Sequence, residues 1–155
     1  MSEEETGADI SAAAANSKDK IDAATAENEF IIYCENNGIE YEEAGMNDDE
    51  KESFADIKKR FIKHCKQGRV EVDGTTLKYV VSKLSPDGIA GETIKITRPS
   101  GAAFVGMDTF KDRESVHKLH GFMSAMTGKE VKYFSKLDIS DWKFFQAVAS
   151  LFLSL

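Results

Sequence analysis

Val70-Glu71-Val72-Asp73-Gly74-Thr75-Thr76-Leu77-Lys78-Tyr79-Val80-Val81 is the stretch where the chain changes period. Upstream, large apolar residues recur every three or four positions. Here Val70 and Val72 alternate with polar residues before Asp73-Gly74, and Leu77, Tyr79 and Val81 alternate after it. Period-2 alternation marks half-buried strands, and Asp-Gly between two such runs marks a hairpin. After Ser85-Pro86-Asp87-Gly88, Thr93-Ile94-Lys95-Ile96-Thr97 alternates again and closes at Arg98-Pro99. The reading is a three-stranded antiparallel meander, with strands over about 69–72, 76–82 and 92–98. A sheet this small is marginal alone and needs helices on its apolar face.

Working outward, Asn47 with Glu50 has capping-box spacing. Phe54, Ile57, Phe61 and Cys65, widened by Ile62, form one apolar stripe ending at Gly68, which predicts a helix over 48–67. On the far side of the strands, residues 100–111 read as a loop, with Gly101 and Gly106 around Phe104, Val105 and Met107. Val116, Leu119, His120, Met123 and Met126 then predict a helix over about 112–127, stopped by Gly128. A helical turn through Val131, Tyr133 and Phe134 leads to a final helix over about 140–154. The fold class is α+β: a small three-stranded antiparallel sheet with an N-terminal helix and a C-terminal helical pair, in one domain over 28–155. Glu29-Phe30-Ile31-Ile32-Tyr33-Cys34 fits a strand or a short helix, stopped by Asn36-Asn37-Gly38. Residues 1–27 have Ile10 and Ile21 as their only large apolar side chains and are expected to form a disordered acidic, Ala-rich tail.

The net charge of −7 divides into −11 over residues 1–60 and +4 over 61–155. An acidic leading half without a basic cluster argues against nucleic acid as a partner. No apolar run reaches the length of a membrane span, and the acidic start is unlike a signal peptide. Cys34 and Cys65 are therefore expected as reduced thiols in a cytoplasmic protein.

Catalytic and metal-binding patterns are weak. His64 and Cys65 are adjacent on a helix and point apart; Cys34 is their one conceivable companion. His117 and His120 share a helix face but lack further ligands. The segment from Gly101 to Gly106 lacks a phosphate-loop ending. Asp48, Asp49, Asp138 and Asp141 fall in first turns of helices, where the helix dipole accounts for them. The expectation is no enzyme, no metal and no cofactor.

The apolar surfaces remain. The final helix carries two stripes, Trp142, Phe145, Ala149 and Phe152 on one flank and Phe144, Val148, Leu151 and Leu155 on the other. Two flanks exceed what a three-stranded sheet covers. Phe122, Leu119, Met123 and Met126 line the preceding helix, and methionines suit adaptable contacts. The expected partner-binding set is Met123, Met126, Trp142, Phe145, Ala149 and Phe152. In this reading Trp142 also anchors the helix to the domain, and Asp138 or Ser140 caps it.

Glu92-Thr93-Ile94-Lys95-Ile96-Thr97-Arg98-Pro99, then Met126-Thr127-Gly128, then Leu137-Asp138-Ile139-Ser140-Asp141-Trp142 and an apolar helix occur in that order over 91–155. This series resembles the small tail assembly chaperones of long-tailed bacteriophages, closest to the contractile-tailed, Mu-like and P2-like branch. The first ninety residues are longer than that family's. The resemblance implies a non-catalytic chaperone in the host cytoplasm that binds the apolar, helical tape-measure protein and is absent from the mature virion. It also implies a frameshifted longer product that recruits the tail tube protein. Two other classes fit the same apolar helix: a structural or adaptor component of the particle, and a regulatory protein that self-associates through it.

Overall fold

The computed structural model describes residues 19–108 and 115–154. Its first helix, α1 (Ala23–Asn37), opens where Asp22 accepts from the Thr25 amide at 2.7 Å. It ends at Gly38, whose φ of 69° suits a residue without a Cβ. The Phe30–Cys34 run is thus helical. The expected tail is corrected over 19–27. The Lys20 and Ile21 amides both donate to the Lys66 carbonyl, Ile21 packs on the core, and Ala26 is fully buried. Alanine carries little hydrophobic weight in a sequence, yet its small size is what a close helix contact requires. Residues 1–18, the rest of that expectation, lie outside the described residues.

Helix α2 (Asp48–Lys66) begins with the capping box that the sequence predicts, Asn47 and Glu50 each accepting from the other's amide at 2.9 Å. Strands β1 (Val70–Asp73), β2 (Thr76–Val80) and β3 (Thr93–Ile96) form the meander in the order β1-β2-β3. Asp73 pairs with Thr76, so Gly74-Thr75 occupies the tip, one residue later than Asp73-Gly74 suggested. The Asn36 side chain donates to the Gly74 carbonyl at 2.9 Å and ties this tip to the end of α1. Leu77 pairs with Ile96 and Tyr79 with Ile94, which places all four on the buried face. Their neighbours Lys78 and Lys95 pair on the opposite face.

The expected loop over 100–111 contains a helix, α3 (Ala102–Asp108), so that reading is corrected. Gly106 is not a loop residue: a Cβ there would sit 3.3 Å from the Gly121 carbonyl oxygen, so its smallness lets two helices approach. The second of these is α4 (Ser115–Thr127); the expected start near 112 falls outside the described residues. A short turn, α5 (Val131–Ser135), precedes α6 (Ile139–Leu153). Asp138 caps α6 by accepting from the Ser140 amide at 2.9 Å.

Helix α6 packs chiefly against α2 and α4 and reaches the sheet through its aromatic side chains. Phe144 stacks on Tyr79 of β2 with centroids 4.2 Å apart and lies 6.1 Å from Phe61 of α2. Phe152 meets Tyr33 of α1 edge-on at 6.2 Å, and Phe145 meets Phe134 of α5 at 5.6 Å. Burying each such side chain contributes about 1.5–3 kcal/mol, and α6 buries more residues than any other described helix.

Candidate binding surfaces

Five of the six residues expected to bind a partner are core. Met123, Met126, Phe145, Ala149 and Phe152 are all buried, Phe152 being the most exposed at 5%. Trp142 is half-buried, with its indole N–H donating to His120 Nε2 at 2.8 Å. The premise that α6 lacks cover is therefore corrected: α1, α2 and α5 supply what the sheet alone does not. A partner reaches most of these side chains only by opening the fold.

Asp141 also departs from expectation. It is fully buried and is the hub of a polar network rather than a surface response to the helix dipole. One carboxylate oxygen accepts from the Tyr79 hydroxyl and, at 3.1 Å, from the Ser82 amide. The other accepts from the Ser82 and Ser85 hydroxyls at 2.8 and 2.7 Å. Four donors fill the four acceptor positions of a carboxylate. Burial pushes its pKa up, but the hydrogen bonds from Tyr79, Ser85 and Ser82 outweigh that, and the group is held below the usual carboxylate value.

His64 extends the network. Arg69 Nη2 lies 2.6 Å from His64 Nδ1, and a guanidinium can only donate, so the imidazole is neutral with its proton on Nε2. Burial and then the charges of Arg69 and Lys63 lower its pKa to about 4. Tyr79 stays protonated, because burial and its bond to Asp141 both raise its pKa. His64, Tyr79 and Asp141 are enclosed, Arg69 is half-buried, and none of them lines the clefts described below. The arrangement clamps α2, β2 and α6 together.

The other chemistry-bearing residues are similarly absorbed. Burial raises the thiol pKa of Cys34 to about 12 and that of Cys65 to about 11, far from a thiolate at neutral pH. His120 Nε2 accepts from Trp142, since an indole N–H only donates, so that nitrogen already has its partner. Among the described residues, no group of three or more His, Cys, Asp and Glu side chains has a metal-holding arrangement. Arg98 of the Arg-Pro pair donates to the Asn37 backbone carbonyl and lies 5.8 Å from the Phe152 ring, joining the end of α1 to α6.

Open surface begins at the last turn of α6, which separates two clefts. One, of about 280 Å³, has Phe122 and Phe152 among its lining, with Phe104 of α3 and Leu153 at its rim. Phe104 is 53% exposed and Leu153 38%. The other, of about 520 Å³, runs from the α1–α2 connection along the start of α2 to Leu151 and Ser154. Sequence reasoning missed both. The signal available was Phe104, an aromatic in a segment too short to bury all of its apolar side chains.

The chain matches no protein-family model, no curated protein and no solved structure.

Proposed function

We propose that this chain is a non-catalytic tail assembly chaperone that holds an apolar helix of the tape-measure protein. The observation that carries the proposal is the exposed pair Phe104 and Leu153 flanking a cleft with Phe122 and Phe152 in its lining. An amphipathic helix laid into such a groove buries its apolar face while the charged remainder keeps the complex in solution. The ordered motifs over 91–155 support the same reading, and with it come action in the host cytoplasm and absence from the virion. The tail tube protein is the second partner, reached through a frameshifted longer product. Among the described residues no helix is long and apolar enough to cross a membrane.

The contact surface in this proposal is the α3–α6 cleft rather than the flanks of α6, and of the six expected residues only Phe152 lines it. A Phe145→Asp variant would place a charge in the core and test folding instead of binding. Co-expression with the tape-measure protein provides the test. The wild-type chain keeps the client soluble, and a Phe104→Asp, Leu153→Asp variant with unchanged circular dichroism does not. A folded double variant that still solubilises the client overturns the proposal. So does recovery of the wild-type chain from purified particles, which identifies a structural component.

A further inference from the structure

The cleft on the other side of the last turn of α6 differs in its charge. Its floor is apolar, with Ile39, Phe54 and Leu151 buried and Met46 and Ile57 half-buried. Its rim carries Glu40, Asp49 and Glu50, all exposed. The rim belongs to a longer acidic segment. Residues 35–52 hold eight acids against Lys51 alone, so this segment carries a net −7, equal to the charge of the whole chain. Of these acids, Glu40, Asp49 and Glu50 line the apolar opening, and Glu43 lies on the neighbouring lysine-rich cleft. Tyr41, in the same segment, donates to Glu35 at 2.7 Å, and that bond, then desolvation, then the nearby Glu35, Glu42 and Glu40 charges, raise its pKa.

We infer that this cleft is a second docking site, and that its occupant is an amphipathic helix of a partner protein with Lys or Arg flanking an apolar face. Charge complementarity selects this occupant. The acids are spread along the cleft rather than focused on a point, which suits a cation repeated along a helix and not a single metal ion. The chain's own residues 1–18 begin Met1-Ser2-Glu3-Glu4-Glu5 and would add repulsion. A second copy would offer the basic late turns of α2, where Lys58, Lys59, Lys63 and Lys66 surround Ile62. Ile62 is already packed against its own core and supplies no anchor. The site is independent of the tape-measure proposal, because neither Phe104 nor Leu153 lines it.

A fluorescein-labelled peptide of about 18 residues, with Leu at i, i+3, i+4 and i+7 and Lys elsewhere, is a direct probe read by anisotropy. Binding to the full chain should weaken at least about tenfold when Glu replaces Lys, and also when the Leu positions are scrambled so that no apolar face forms. Two folded variants should each show a similar loss: Glu40→Lys with Asp49→Lys, which reverses the rim, and Ser53→Trp, which fills the opening from an exposed position. Raising salt from about 50 to about 300 mM should weaken the wild-type complex severalfold. No binding of the Lys peptide overturns the inference. Equal binding of the scrambled peptide does the same, since it shows attraction to bulk negative charge alone. Undiminished binding to Ser53→Trp places the peptide elsewhere. Concentration-dependent self-association of the wild-type chain that Ser53→Trp abolishes assigns the cleft to a second copy and also overturns it.

Discussion

At its first turn α6 carries a carboxylate wholly inside the molecule with every acceptor position filled; about three turns later the same helix separates two open clefts. The first end is polar and closed, the second apolar and open. Satisfied polar groups in a low-dielectric interior fix geometry, because any displacement leaves a donor without an acceptor. Apolar side chains at a rim fix nothing until another surface covers them. In the proposed reading, one helix thereby separates the work of holding the fold from the work of binding.

The sharpest way to break this comparison is at the closed end. Asp141→Ala leaves the Tyr79, Ser82 and Ser85 donors without their acceptor and should cost about 3–5 kcal/mol in urea unfolding. A loss below about 1 kcal/mol would show that the network decorates the contact rather than holding it.

Acid probes the same end more gently. His64 is neutral in the fold, with a pKa of about 4 against 6.5 unfolded. The unfolded chain therefore binds the extra proton first, and stability falls as pH drops from about 6.5 to about 4, by roughly 3 kcal/mol from this residue. His120, also lowered by burial and then by His117, acts in the same direction. Asp141 adds its own loss as pH falls from its ordinary carboxylate value through its depressed folded one. Unfolding free energies measured across this range should show the slope, and His64→Gln should flatten it.

The smallest stability effect is expected at the open end. Leu153→Ser should change unfolding by only about 1 kcal/mol, because the side chain is 38% exposed, while weakening capture of the client proposed above. A large stability loss there would erase the distinction between the two ends.

What the sequence discloses follows the range of the interactions involved. The capping box at Asn47 and Glu50, the β1–β2 hairpin and the stop at Gly38 depend on neighbours a few residues apart, and the third strand on its own period-2 alternation, so all are readable from spacing. Asp141 is not, because a carboxylate in a first turn has a sufficient local explanation and its donors lie 56–62 residues away. The turn serines Ser82 and Ser85 were the available hint, two short hydroxyls in a segment that needed no cap. Gly106 misleads for the same reason: a glycine at a helix crossing and a glycine in a loop are identical until the other helix is in place. The candidate surface was displaced because both flanks of α6 were weighed against the sheet alone, whereas α1 contributes Tyr33 and α5 contributes Phe134.

The separation between Asp141 and its donors also sets an order of assembly. A ribosome releases Tyr79, Ser82 and Ser85 long before the residue that accepts their hydrogen bonds. Until then Tyr79 has His64 of α2 beside it but lacks the Phe144 ring and the Asp141 carboxylate. Long-range closure of this kind is slow, because the intervening chain gives up its freedom before the contacts form. The contacts that tie Tyr79, Ser82 and Ser85 to α6 are therefore among the most distant in sequence that the fold has to close.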